Sequence, residues 1–185
     1  MRLPDDDVGR LRKYLTEGEV QRLLIATDDT EDPERNRALI VIAYRHGLRV
    51  TELVSLTWSQ DVDLEQGRLL VRRLKRGRHG IHRLATDELE LLTQLKARSV
   101  NDYVFPGRSG RMSRSNVNRM LTEVGQCAGL PNATPHQLRH ACGHELAMRG
   151  MDTRRLQVYL GHRSILSTVV YTDLAAHAHD NVWAA

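Results

Sequence analysis

The chain has 185 residues, 41% of them hydrophobic, which suffices for one domain with its own core, and no linker-like stretch divides it. No apolar run approaches the length of a membrane span, and Met1-Arg-Leu-Pro-Asp-Asp-Asp lacks the basic and apolar regions of a signal peptide, so no membrane association is expected and a cytoplasmic protein is. The formal charge of +4 and pI near 9.4 are modest, and their distribution carries more information than their sum.

Acidic residues crowd the first 35 positions, whereas Gln66 to Thr86 contains no Asp or Glu but holds Arg68, Arg72, Arg73, Lys75, Arg76, Arg78 and Arg83. A second acid-free stretch, Tyr103 to Thr122, carries Arg108, Arg111, Arg114 and Arg119. Two basic zones built from Arg more than Lys suit a phosphate backbone, although most charge runs are no more than solvated surface. Cys127 and Cys142 lack any paired ligand spacing and are expected as buried small apolar residues.

In chain order, Thr16-Glu-Gly-Glu19 is a capping box, and Val20, Leu23 and Leu24 follow at helical spacing, which predicts a helix to about Ala26. Asp28 to Glu34 reads as an acidic loop. Pro33 opens a second helix, dense in apolar residues through Ala43, with Gly47 as its left-handed stop. A short helix from Val50 to about Leu56 follows, so Arg49 sits at a tight junction, either a rigidly positioned site Arg or an ordinary helix-end Arg, the latter favoured by its position alone. From Trp58 the pattern changes to strands: Asp61 to Leu64, a Gly67 turn, Leu69 to Val71, a turn over Arg76 to Gly80, and Ile81 to Leu84, which together predict a small three-stranded antiparallel sheet. Of the three lysines, Lys13, Lys75 and Lys96, Lys75 stands at a hairpin in a basic zone, as a site residue or as one more backbone-binding cation.

Thr86 is expected to cap a helix through Leu95. A loop over Pro106-Gly107 and Ser109-Gly110 precedes a helix capped by Ser113 and running to about Ala128. Thr134-Pro135 opens a helix ending at Gly150 and puts His136 and Arg139 in its first turn, where free N–H groups and an Arg fork suit a phosphate. Asp152 or Thr153 opens a helix to Gly161, and Ser164 caps the one that delivers Tyr171. After Asp173 the tail is Ala-rich, with Val182 and Trp183 as its large apolar residues. The fold class expected is α+β, mainly helical.

Other chemistries find no support. His140 and His144 have a helical zinc spacing, but the metalloprotease pattern is absent, and His177 and His179 lie in the tail. There is no Gly-rich phosphate loop and no Ser nucleophile elbow.

The remaining pieces are His46-Gly-Leu-Arg49-Val-Thr-Glu52-Leu, Lys75, His136-Gln-Leu-Arg139-His140, Leu160-Gly161-His162 and, nine residues on, Tyr171. In order and local setting they resemble the tyrosine recombinase (phage integrase) family, and within it the small recombinases that invert fimbrial promoter elements, which consist almost wholly of the catalytic domain and also carry a Trp after the Tyr. The resemblance implies an integrase-like catalytic domain over residues 1–185, with a short tail from 174 and without the N-terminal helical domain most relatives carry. It implies that Tyr171 attacks a DNA phosphodiester to form a 3′-phosphotyrosyl bond without ATP or metal. Arg49 and Arg139 would hold the non-bridging oxygens, Lys75 would protonate the leaving 5′-oxygen, and His136 and His162 would assist proton transfer or bond the phosphate. Glu52 and His140 are assigned to structural support of the site. Arg72, Arg73, Arg76, Arg78, Arg111 and Arg114 are the expected DNA contacts. Double-stranded DNA is the expected partner, engaged as a tetramer on the nucleoid with host DNA-bending proteins assisting weak, salt-sensitive binding. The alternatives are a type IB topoisomerase and a catalytically weak DNA-binding regulator of the same fold.

Overall fold

The Glu19 carboxylate accepts the Thr16 backbone N–H at 2.7 Å while the Thr16 hydroxyl accepts the Glu19 N–H at 3.2 Å, so both halves of the expected capping box start helix α1, Glu17–Ala26. The computed structural model describes residues 13–73, 79–108 and 110–176, with side chains as far as Tyr171. Asp32 caps α2, Pro33–Arg45, with its carboxylate on the Arg35 N–H, and the run Ala38 to Ala43 is buried on all sides. Gly47, at φ 54°, turns the chain into α3, Val50–Leu53. That helix is shorter than expected because the next residues leave it to pair elsewhere: Leu56 C=O accepts the Val104 N–H at 3.0 Å and Trp58 N–H donates to Asp102 O at 2.8 Å.

The expected sheet is present, with antiparallel order β1-β2-β3 formed by Val62–Asp63, Arg68–Val71 and Gly80–Arg83. Its register sets Leu69 opposite His82 and Val71 opposite Gly80. Helix α4, Thr86–Ala97, has Ala85 and not Thr86 as its cap residue, and the Glu88 carboxylate accepts the Ala85 N–H at 2.8 Å. The expected Pro106 to Gly110 loop forms a two-stranded hairpin, β4 (Pro106–Gly107) with β5 (Gly110–Arg111). Ser113, Thr134 and Asp152 cap α5 (Arg114–Cys127), α6 (Pro135–Met148) and α7 (Thr153–Leu160), and α8 spans Leu166–Ala176.

The core falls into two clusters. The larger packs Leu23, Leu39, Ile42, Leu53, Leu69, Leu92, Phe105, Leu121 and Leu138 among α1 to α6 and the inner sheet face. The smaller holds Cys142, Ala147, Leu156, Leu160 and Tyr171 among α6, α7 and α8. Cys142 is buried as expected, whereas Cys127, on the outer face of α5, is exposed. No helix among the described residues is long and apolar enough to cross a membrane.

Candidate active site

The site is assembled where two helices end against each other. The C-terminal carbonyls of α2 and α7 have no partners within their helices and carry the negative end of the helix dipole. Two guanidiniums bridge them. Arg73 donates from Nη1 to Gly47 O at 3.1 Å and from Nη2 to His46 O at 3.1 Å and to Tyr159 O. Arg139 donates from Nη1 to Gly47 O and from Nη2 to Leu160 O at 2.7 Å. Each is 3% exposed. Arg139 is the fifth residue of α6 and so lies beyond its first turn, its fork turned toward these carbonyls, while His136 is in the first turn as expected.

Glu52 ties the third guanidinium to this frame. Its carboxylate accepts the Arg49 backbone N–H at 2.9 Å, Arg49 Nη1 at 2.8 Å and Arg73 Nη1 at 2.9 Å. Burial acts to raise this carboxyl, but the Arg49 N–H and the Arg73 and Arg49 charges outweigh it and hold it below the ordinary carboxylate range. The Arg49 side chain is 39% exposed, so it forms the open side of the cluster.

Arg73 is a correction to the DNA contacts expected from sequence: it is an interior strut and cannot lie along a duplex. The signal was present in β2, where alternation places Leu69 and Val71 inward and carries Arg73 to the same side. Gly161 belongs to the same contact. It is the left-handed cap of α7 at φ 65°, and a Cβ there would stand 2.6 Å from Arg73 Cγ.

The nucleophile candidate lies beside this cluster. Tyr171 is 3% exposed, its ring over Gly143, where a Cβ would come within 2.7 Å of Tyr171 Cζ. Its hydroxyl is 2.7 Å from His140 Nδ1, and His140 Nε2 is 2.8 Å from His136 Nε2. His140, assigned from sequence to helix support, thus touches the hydroxyl itself, a pairing that its i, i+4 spacing from His136 hinted at only in part. His162 lies parallel to the Tyr171 ring at 6.2 Å, and its Nδ1 is 3.0 Å from Thr168 Oγ1. Burial, then Arg139, Arg49 and Arg73, pulls His162 down to about 4. Burial first, and Arg49 and Arg73 next, pulls Arg139 down to about 10. The site therefore holds more positive charge than Glu52 offsets and favours an anion. Tyr159, the rival phenol, donates to Arg45 O at 2.8 Å and stacks on His82, so its hydroxyl is committed.

Of the other expected residues, Arg72 pairs with Asp61 at 2.6 Å with its side chain 42% exposed, Arg111 donates to Ser55 Oγ at 3.0 Å, and Arg114 is exposed at the start of α5. Lys75, Arg76 and Arg78, with the tail residues His177, His179, Val182 and Trp183, lie outside the described residues.

The chain is 43% identical over 181 residues to the type 1 fimbriae regulatory protein FimE of Escherichia coli K12, covering 93% of this chain and 91% of that one. It is 36% identical to FimB of the same strain, covering 93% and 90%. Its fold superposes on the crystal structure of XerA recombinase with a TM-score of 0.76 at 32% identity, over 89% of this chain and 62% of that one. It also superposes on the XerH site-specific recombinase bound to its difH substrate, with a TM-score of 0.73 at 25% identity over 91% and 52%. The chain thus spans between half and two thirds of the solved recombinases' length. The phage integrase family profile matches residues 13–178, and the chain belongs to that family and is a tyrosine recombinase.

Proposed function

We propose that the chain cleaves and rejoins double-stranded DNA at short inverted-repeat sites, with Tyr171 as nucleophile. Attack of Tyr171 Oη on a phosphodiester forms the 3′-phosphotyrosyl bond and expels a 5′-hydroxyl, and attack by another strand's 5′-hydroxyl reverses the step without loss of bond energy. The observation that carries this reading is the excess of cationic groups beside the buried tyrosine: Arg49 and Arg73 bond the Glu52 carboxylate, and Arg139 stands near it bonded to neutral carbonyls. Arg139 commits one direction of its five-donor fork to the helix-end carbonyls, and its remaining N–H groups and those of half-open Arg49 are suited to the two non-bridging oxygens as charge builds. His136 and His162 serve as hydrogen-bond partners of the same phosphate, and Lys75 as the acid for the 5′-oxygen. Glu52 and Arg73 act through Arg49 and Arg139 by fixing their positions.

Each protomer contributes one Tyr171, and exchange between two duplexes needs four cleavages, so the working unit on this reading is a tetramer. Arg72, Arg76, Arg78, Arg111 and Arg114 line the duplex. Host DNA-bending proteins would assist assembly of this unit on DNA, because binding that rests on neutralised phosphates weakens with salt.

The test is covalent capture. A library of nicked duplexes of randomised sequence is incubated with the protein in EDTA without nucleotide. The short fragment beyond the nick diffuses away, trapping any 3′-phosphotyrosyl adduct for isolation on a denaturing gel. An adduct absent from the intact chain, or surviving Tyr171→Phe, would sink the assignment. Strand exchange between two captured duplexes distinguishes recombination from topoisomerase-like nicking and resealing.

A further inference from the structure

A tyrosine that is buried and phenolic cannot attack phosphorus until its proton has somewhere to go. Burial, with Cys142 adding to it and Arg139 opposing, pushes the Tyr171 hydroxyl above its usual range, so at neutral pH it carries its proton. The group in contact with that proton is His140 Nδ1 at 2.7 Å, and beyond it lies His136 Nε2, 2.8 Å from His140 Nε2. The three side chains form an unbroken line from the nucleophile to the first turn of α6, and the two imidazoles meet edge to face with centroids 4.3 Å apart, their nitrogens turned together.

We propose that His140 is a catalytic residue that takes the proton from Tyr171 and relays it to His136 as the tyrosine attacks DNA. This rests on the recombinase reading above. Before attack His140 carries its hydrogen on Nε2, donated to His136 Nε2, and its Nδ1 accepts from the Tyr171 hydroxyl. As the Oη–P bond forms and the P–O5′ bond breaks, the phenol proton passes to His140 Nδ1, the Nε2 proton passes to His136 Nε2, and the departing 5′-oxygen takes a separate proton from Lys75. His136 ends as imidazolium, and His140 is neutral in its other tautomer.

The surroundings explain why two histidines are needed. Lys13, from the segment before α1, His136 and Arg139, from the same helix, and His162 all act on His140 electrostatically, and the Tyr171 ring lies 5.7 Å from it. Burial first, then His136, Arg139 and Lys13, holds its pKa near 4, so a proton arriving there is poorly kept and moves on. His136 is also pulled down, by burial, Arg139 and Arg49, and a phosphate that offsets both arginines restores its basicity at the moment it is required.

The test follows adduct formation on the nicked duplex isolated from the randomised library, made with either oxygen or sulfur at the scissile 5′ position. Sulfur leaves without protonation, so it relieves a defect in the acid and not one in the base. His140→Ala is expected to slow the adduct by about 10²- to 10⁴-fold near pH 7 while duplex affinity holds, with the loss shrinking as pH rises toward the phenol range and persisting with sulfur. His140→Asn, which keeps a polar group without a base, should match His140→Ala. A rate within about 2-fold of the unsubstituted chain, a loss equal at every pH, full relief by sulfur, or full rescue by Asn would overturn the relay. Absence of adduct from the unsubstituted chain would instead remove the recombinase reading itself.

Discussion

The guanidiniums of Arg73 and Arg139 both donate to the carbonyl oxygen of Gly47. One comes from the end of a strand and the other from a helix, and the shared acceptor fixes the distance between the sheet and α6. Because Arg73 also holds Glu52, which holds Arg49, the two expected phosphate-binding arginines are coupled through a residue that need not touch DNA.

Removing that strut should be costly. Arg73→Met leaves a carboxylate of 4% exposure and the carbonyls of His46 and Tyr159 short of donors, and is expected to lower unfolding free energy by ~3–5 kcal/mol in urea titration. Arg73→Lys should recover little, since a single ammonium cannot span acceptors from two helix ends. A loss below about 1 kcal/mol would show that the bridge contributes little beyond a surface pair.

Gly143→Ala separates stability from activity. An alanine in a helix interior is favoured over glycine by about 1 kcal/mol, yet its Cβ would meet the Tyr171 ring at 2.7 to 2.9 Å. Tyr171 should be pushed from its contact with His140, slowing adduct formation by ~10²-fold with duplex affinity unchanged, while the helix gain offsets part of the stability lost at the displaced ring. Normal cleavage by this variant would mean that the docked ring position is not used in the reaction.

Acid should destabilise the fold before the carboxylates titrate. His82 is pulled down to about 3 by burial, then by His46 and Arg73, and His140 and His162 to about 4. With folded values below the unfolded value near 6.5, the unfolded chain binds more protons in between. The stabilising contribution is full above about pH 6.5 and is lost as pH falls toward 4, with Glu52 adding a further loss below the ordinary carboxylate range. Urea midpoints should decline steadily from neutral pH to pH ~5, and a flat profile would contradict the histidine shifts.

Affinity for duplex should fall steeply with salt, log K dropping linearly with log salt concentration. Arg114→Ala and Arg111→Ala should each weaken binding across all sequences and reduce that slope by ~1. Arg72→Ala, whose partner Asp61 competes with phosphate, should change it less. Fluorescence anisotropy across a salt series reads both.

Local chemistry was legible from the residues alone. Capping boxes, Pro33 and Pro135 at helix starts, Gly47 and Gly161 at helix ends and the strand alternation depend on neighbours a few positions apart, and they predict most of the helices and the sheet. Local pattern is overridden where a distant partner decides the outcome: α3 ends early because Leu56 and Trp58 pair with residues near 103, and the segment after Phe105 folds into a hairpin. The roles of Arg73 and His140 were settled only in three dimensions. An arginine in a basic stretch looks the same in sequence whether it faces DNA or the interior, and its burial becomes affordable only when the ends of α2 and α7 bring carbonyls and a carboxylate to its fork. The contact between His140 and Tyr171 likewise requires α8 to fold back on α6, with Gly143 leaving the space for the ring.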